Sequence, residues 1–213
     1  MNKKHIILTF LLLAIILIAE IPAITSAASL KYKLNGGIGN YGKNRRYYYI
    51  DSSCNAEVTA KINTAWSDWI YTSITTPIST RQTTTKSQSV FDFYIYNDNL
   101  FSTAEAFTEF YINPSTQISP SLPINAGLSN TQNWDWTNIK LHHENFFTMD
   151  ERFPGRSFDM QKAVIAHEIG HAMGLIHTSE TELSIMRMGT VNLYVDKCTE
   201  LDLQTINALY GGN

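Results

Sequence analysis

Between residues 167 and 177 the chain reads HEIGHAMGLIH, which places three histidines and a glutamate within eleven positions. The 213-residue sequence holds six histidines, so half stand here; the others are His5, His142 and His143. His167 and His171 are four apart, and on a helix that spacing aims both side chains from one face. Two imidazoles so placed can reach one zinc ion at about 2.0–2.1 Å. Glu168 adjoins His167 and projects beside that point rather than at it, where a carboxylate can take a proton from a zinc-bound water. Gly174 can adopt the left-handed backbone that ends a helix and turns the chain. The turn lets His177, six residues beyond His171, approach the same metal from off the helix. Three neutral nitrogens leave a fourth position open, as in catalytic rather than structural zinc sites. Packing alone does not account for the cluster, because buried imidazoles bring polar nitrogens that each need a partner.

These side chains need a helix, and Asp159 stands ready to cap one, just after a turn at FPGRS (153–157). Upstream, RYYYI (46–50) has the composition of a short strand. Val58, Ile62, Ala65, Trp66, Trp69 and Ile70 then recur at steps of three and four, an amphipathic helix whose stripe is core. The Thr- and Ser-rich stretch 72–89 reads as strand and loop. VFDFYIYN (90–97), AEAFTEFYI (104–112) and TNIKLH (137–142) read as further strands. Residues 113–136, with three prolines and Gly127, form a long irregular excursion of the kind that often carries function. Leu201, Leu203, Ile206 and Leu209/Tyr210 mark a last helix closed by Gly211-Gly212. Strands first and helices after them predict an α+β fold in one domain.

The first 28 residues have the order of a secretory signal peptide: Lys3 and Lys4, an apolar run from Ile6 to Ala19, then small residues to Ala28. That run falls short of the roughly 20 residues that span a bilayer. The expectation is therefore export, cleavage, and a single mature domain over residues 29–213, extracellular, monomeric and not inserted in a membrane. A net charge of −3 without a basic patch gives no reason to expect nucleic acid as a partner. Two cysteines in an exported chain point to a disulfide between Cys54 and Cys198, two buried free thiols being the alternative.

The HEIGHAMGLIH stretch resembles the zinc-binding signature of the metzincin endopeptidases. LSIMRMG (183–189) is similar to the tight turn that carries a methionine beneath their metal, here Met186. Astacins and serralysins have a tyrosine two residues after that methionine. This chain has Met188 and looks more like a matrixin of the small secreted bacterial type. The last helix is similar to the final matrixin helix, whose adjacent pair of acids appears as Leu201-Asp202; Asp202 resembles the acid that anchors the methionine turn. The likeness runs over about 46–211 and is strongest over 158–211.

It implies a twisted, mainly parallel sheet with an antiparallel edge strand, an active-site helix and a C-terminal helix. It also implies one catalytic zinc on His167, His171 and His177, with Glu168 as general base, in an enzyme that hydrolyses protein or peptide substrates. The substrate would lie extended along an edge strand placed at Ala104–Phe110, with Ala104, Ala106 and Phe107 at its start. The wall at 189–194 would shape the pocket past the scissile bond. No cysteine-switch motif occurs to hold the zinc latent. His142 and His143, neighbours pointing to opposite sides of a strand, do not suit a second zinc. YNDNL (96–100) could feed a calcium ion, but a solvated turn is the simpler reading. The rival function is a secreted binding module that keeps zinc for stability without catalysis.

Overall fold

The computed structural model describes residues 32–39, 47–97, 104–113, 116–119, 133–148, 157–179, 181–187 and 195–211. The leader-like run 1–28, residues 98–100 of the calcium candidate, residues 153–156 of the turn, Met188 and the wall at 189–194 lie outside these residues. So does most of the 113–136 excursion.

Most strands form where aromatic and β-branched residues alternate. They are β1 (Tyr47–Ile50), β2 (Arg81–Thr83), β3 (Ser89–Tyr96), β4 (Ala106–Asn113), β5 (Thr116–Ser119) and β6 (Trp136–His142). They make one sheet in the order β2-β1-β3-β6-β4-β5. β2, β1, β3 and β6 run parallel; β4 is antiparallel to β6 and to β5. One face of the sheet is apolar, with Phe91, Phe93, Phe110, Ile139 and Leu141 buried. Helices α1 (Ala56–Ile70) and α3 (Ser157–Ala172) pack together, and α3 lies on β4 and β6. α1 presents Val58, Ile62, Ala65, Trp66 and Trp69 to the core, and Asn55 caps it by accepting from Val58 N at 2.9 Å. From Met160 onward α3 is buried on nearly every side, as befits a central helix. Its polar members are paired: Lys162 Nζ meets Asp68 at 2.9 Å and Asp196 at 3.1 Å. The last helix, α4 (Glu200–Tyr210), ends at Gly211 with φ 74°. No helix among the described residues is long and apolar enough to cross a membrane.

Five expectations need correction. Part of the supposed irregular excursion is ordered, because Thr116–Ser119 folds back on the end of β4 as β5. The strand expected at the edge therefore has β5 beyond it, but only from Phe110 onward; its start at Ala106–Glu109 pairs with β6. α3 begins at Ser157, so Asp159 lies within its first turn and favours the helix through the dipole rather than as the cap. His142 and His143 do not share a strand. His142 ends β6, and its Nδ1 accepts from Asn145 N at 3.2 Å, while His143 opens the short helix α2 (His143–Phe147).

The fifth correction concerns the cysteines, which are free and buried. Cys54 lies just before α1, with its thiol toward Phe93 O at 3.8 Å. Cys198 donates to Asp68 O at 3.0 Å, in the last turn of α1. Most of that helix separates the two, about 20 Å at the usual rise, whereas a disulfide needs Cα atoms within about 7 Å. Burial pushes both thiols up to about 12, which keeps them protonated and inert.

Candidate metal centre

α3 carries His167, Glu168 and His171, and a glycine stops it in time for the chain to come back. Gly174 takes φ +105°, Gly174 N donates to His171 O at 2.8 Å, and Leu175 N donates to Gly170 O at 2.9 Å. This five-residue closing bond caps the helix end in the Schellman manner. The next residues bring His177 to the helix face. Its Nε2 lies 3.1 Å from His167 Nε2 and 3.1 Å from His171 Nε2. Ring nitrogens on a tetrahedral zinc at the usual bond length stand about 3.3 Å apart, so the donor set fits that ion. It is the only such group of metal-competent side chains among the described residues.

Two of the rings are locked by main-chain carbonyls. His167 Nδ1 donates to Ile185 O and His171 Nδ1 to Leu175 O, each at 2.8 Å. A carbonyl can only accept, so each Nδ1 carries the proton and each Nε2 lone pair is left for a metal. His177 differs: its Nδ1 is buried and meets no hydrogen-bond partner among the described residues. Burial lowers the pKa of all three rings, most strongly at His171, where the charges of His167 and His177 add to it; His177 falls to about 4. They are neutral ligands near pH 7, as metal binding requires.

Glu168 is 6% exposed. Burial pushes its carboxyl up to about 7, against the hydrogen bond from Thr108 and with help from the charge of Glu105. Thr108 Oγ donates to Glu168 Oε2 at 2.8 Å.

The turn at Ser184–Met186 backs the cluster, and Asp202 of α4 holds it. Asp202 accepts from Ser184 Oγ, from Ile185 N at 3.0 Å and from Thr199 N at 2.7 Å. The same turn receives Thr178 N on Met186 O at 2.9 Å, directly after the third histidine. Thus Ile185 touches His167 on one side while Met186 steadies the His177 segment on the other. Close approach needs Gly170, since a Cβ there would stand 2.3 Å from Met186 Sδ.

Of the residues placed on the substrate strand, Ala106 and Phe107 open β4 and Ala104 precedes it. The residue that reaches Glu168 is Thr108, which the sequence reading passed over. Gly170 was passed over too. The available signal for Thr108 was alternation: in AFTEF it shares a face with Ala106 and Phe110, a hydroxyl in an apolar row.

Residues 49–211 match the family model described as Matrixin. That span contains every residue of the centre described above. No individual curated protein matches the chain.

Proposed function

The chain belongs to the matrixin family, and on that footing we propose that it is a zinc-dependent endopeptidase of extracellular proteins. The observation that carries this reading is the convergence of three neutral Nε2 atoms, with the buried Glu168 next to His167 on the same helix. His167, His171 and His177 would hold the ion. Bound zinc supplies Lewis acidity, which polarises a carbonyl and lowers the pKa of water toward about 7. Glu168 accepts the proton of the attacking water and returns it to the leaving amine. The start of β4 aligns the extended substrate by main-chain hydrogen bonds, which give affinity without reading side chains. Pairing with β5 beginning only at Phe110 supports this placement. The leader-like pattern of residues 1–28 supports an exported setting.

Glu168→Gln tests the reading. It should keep one zinc per chain and lose peptide hydrolysis by at least about 100-fold, because the amide keeps the shape but cannot accept a proton. Zinc content and turnover are measured on the same sample. Full zinc with near-native turnover would remove Glu168 from its role, and a parent without chelator-sensitive cleavage of casein would favour the non-catalytic binding module.

A further inference from the structure

Along β4 the face turned to α3 carries Ala106, Thr108 and Phe110. Phe110 packs edge-on against Trp134 with ring centroids 4.8 Å apart, and Thr108 is 5% exposed. A hydroxyl in such a row needs an acceptor. Both acceptors within reach belong to one residue, Glu168: its main-chain oxygen at 3.1 Å and its Oε2 at 2.8 Å. The hydroxyl has a single proton to give. The carboxylate oxygen is nearer and is the stronger acceptor when ionised, while the main-chain oxygen belongs to the helical ladder of α3. If Thr108 served only to fill the strand, valine would serve as well, since its branching suits a strand equally.

We propose that Thr108 is a positioning residue of the peptidase reaction, its hydroxyl fixing the Glu168 carboxylate beside the three histidines. The inference rests on the peptidase reading above. It adds that a single strand, β4, would set both the register of the substrate and the orientation of the proton acceptor. A side chain held by one hydrogen bond at the edge of its carboxylate has fewer rotamers to search, and small misplacements of a catalytic group are costly.

The test compares Thr108→Val, Thr108→Ser and Thr108→Ala with the parent, using Glu168→Gln as the floor of the assay. T108V should keep one zinc per chain and a near-parental melting temperature. Its kcat should drop about 10- to 100-fold with KM changed by less than about twofold. T108S, which keeps the hydroxyl, should recover most of kcat. A second readout is independent of turnover: the carboxyl carbon resonance of Glu168 in metal-free, 13C-labelled protein, assigned by its loss in E168Q. It should shift in T108V and return in T108S. Parental kcat in T108V, or a resonance that does not move, would overturn the proposal. If T108V does not fold, T108S and T108A make the same comparison, and equal kcat in those two overturns it. If the parent cleaves no peptide, the peptidase reading fails by itself, while the resonance still decides whether Thr108 holds the carboxylate.

Discussion

His167 and His171 reach the centre from a helix, and His177 reaches it from a turn; the two halves are held by different means. On the helix, position is set by the α3 backbone, and each ring is locked by a main-chain carbonyl. In the turn, the backbone next to His177 is tied to Met186, but the outer ring nitrogen has no partner among the described residues. The backbone of the helical half is set by its own segment, while the His167 ring also leans on Ile185 of the methionine turn. The turn half depends on Gly174, on the methionine turn and, behind that, on Asp202 of α4. Both halves thus share the methionine turn, and they differ in whether a helix or a turn sets the backbone that carries the ligand.

This contrast can be broken at several points. Removing a ligand has the largest effect. Zinc binding of roughly 10–16 kcal/mol is shared by a few donors, so His171→Ala and His177→Ala should each weaken zinc by at least about 1,000-fold in competition titrations. They should part company in the metal-free protein. H171A also loses the bond to Leu175 O and should cost about 1 kcal/mol of stability, whereas H177A gives up no bond at Nδ1 to any described residue and should melt closer to the parent. Equal melting of the two metal-free variants would erase the distinction drawn here.

Next comes Asp202→Ala, which strands donors on Ser184, Ile185 and Thr199 in a buried place. A loss of about 3 kcal/mol in denaturant unfolding is expected, with weakened zinc binding although every ligand is intact. Gly170→Ala is milder: its Cβ must displace Met186, at about 2 kcal/mol. If the methionine turn moves as expected, Ile185 O should also release His167, which the tautomer-sensitive 15N spectrum of that ring would report. The smallest effect belongs to the cysteines. Two thiols should titrate in the denatured, unreduced protein, and reducing agent should leave the melting temperature where it was.

Reading the sequence worked best where the determinants are local. The spacing of His167, His171 and Gly174 is a property of one helix and its end, and the stripe from Val58 to Trp69 is a property of another; both are visible at a period of three to four. The strands that carry strong aromatic alternation, such as VFDFYIY, were legible for the same reason. β5 was not, because four residues after Asn113 with no apolar pattern become a strand only by finding the end of β4. The expected Cys54–Cys198 bridge failed on a distance set by the length of α1, which no residue spacing in the sequence expresses. Thr108 was hidden differently: its alternation was plain, but its acceptor lies on a helix remote in sequence. Asp202 was foreseen only through the matrixin resemblance, and nothing in its own neighbourhood points to Ser184 and Ile185.

The segment from Tyr32 to Leu34 lies behind the turn that leads to the third histidine. The Tyr210 hydroxyl donates to Met173 O at 2.7 Å and accepts from Leu34 N at 3.0 Å, and Trp134 Nε1 donates to Ala172 O at 3.2 Å. Leu34 bridges to Trp134, and Tyr32 O stands close to where a Cβ on Gly174 would be. The Leu34–Tyr210 bond joins residues 176 apart. Closing so long a loop carries a large entropic toll, and contacts of this range form slowly. During synthesis α3 can present two of its histidines early, but the buttress behind the third waits for Tyr210 to emerge. The hydrogen bonds that back the turn of the third histidine are therefore among those that only the complete last helix can make.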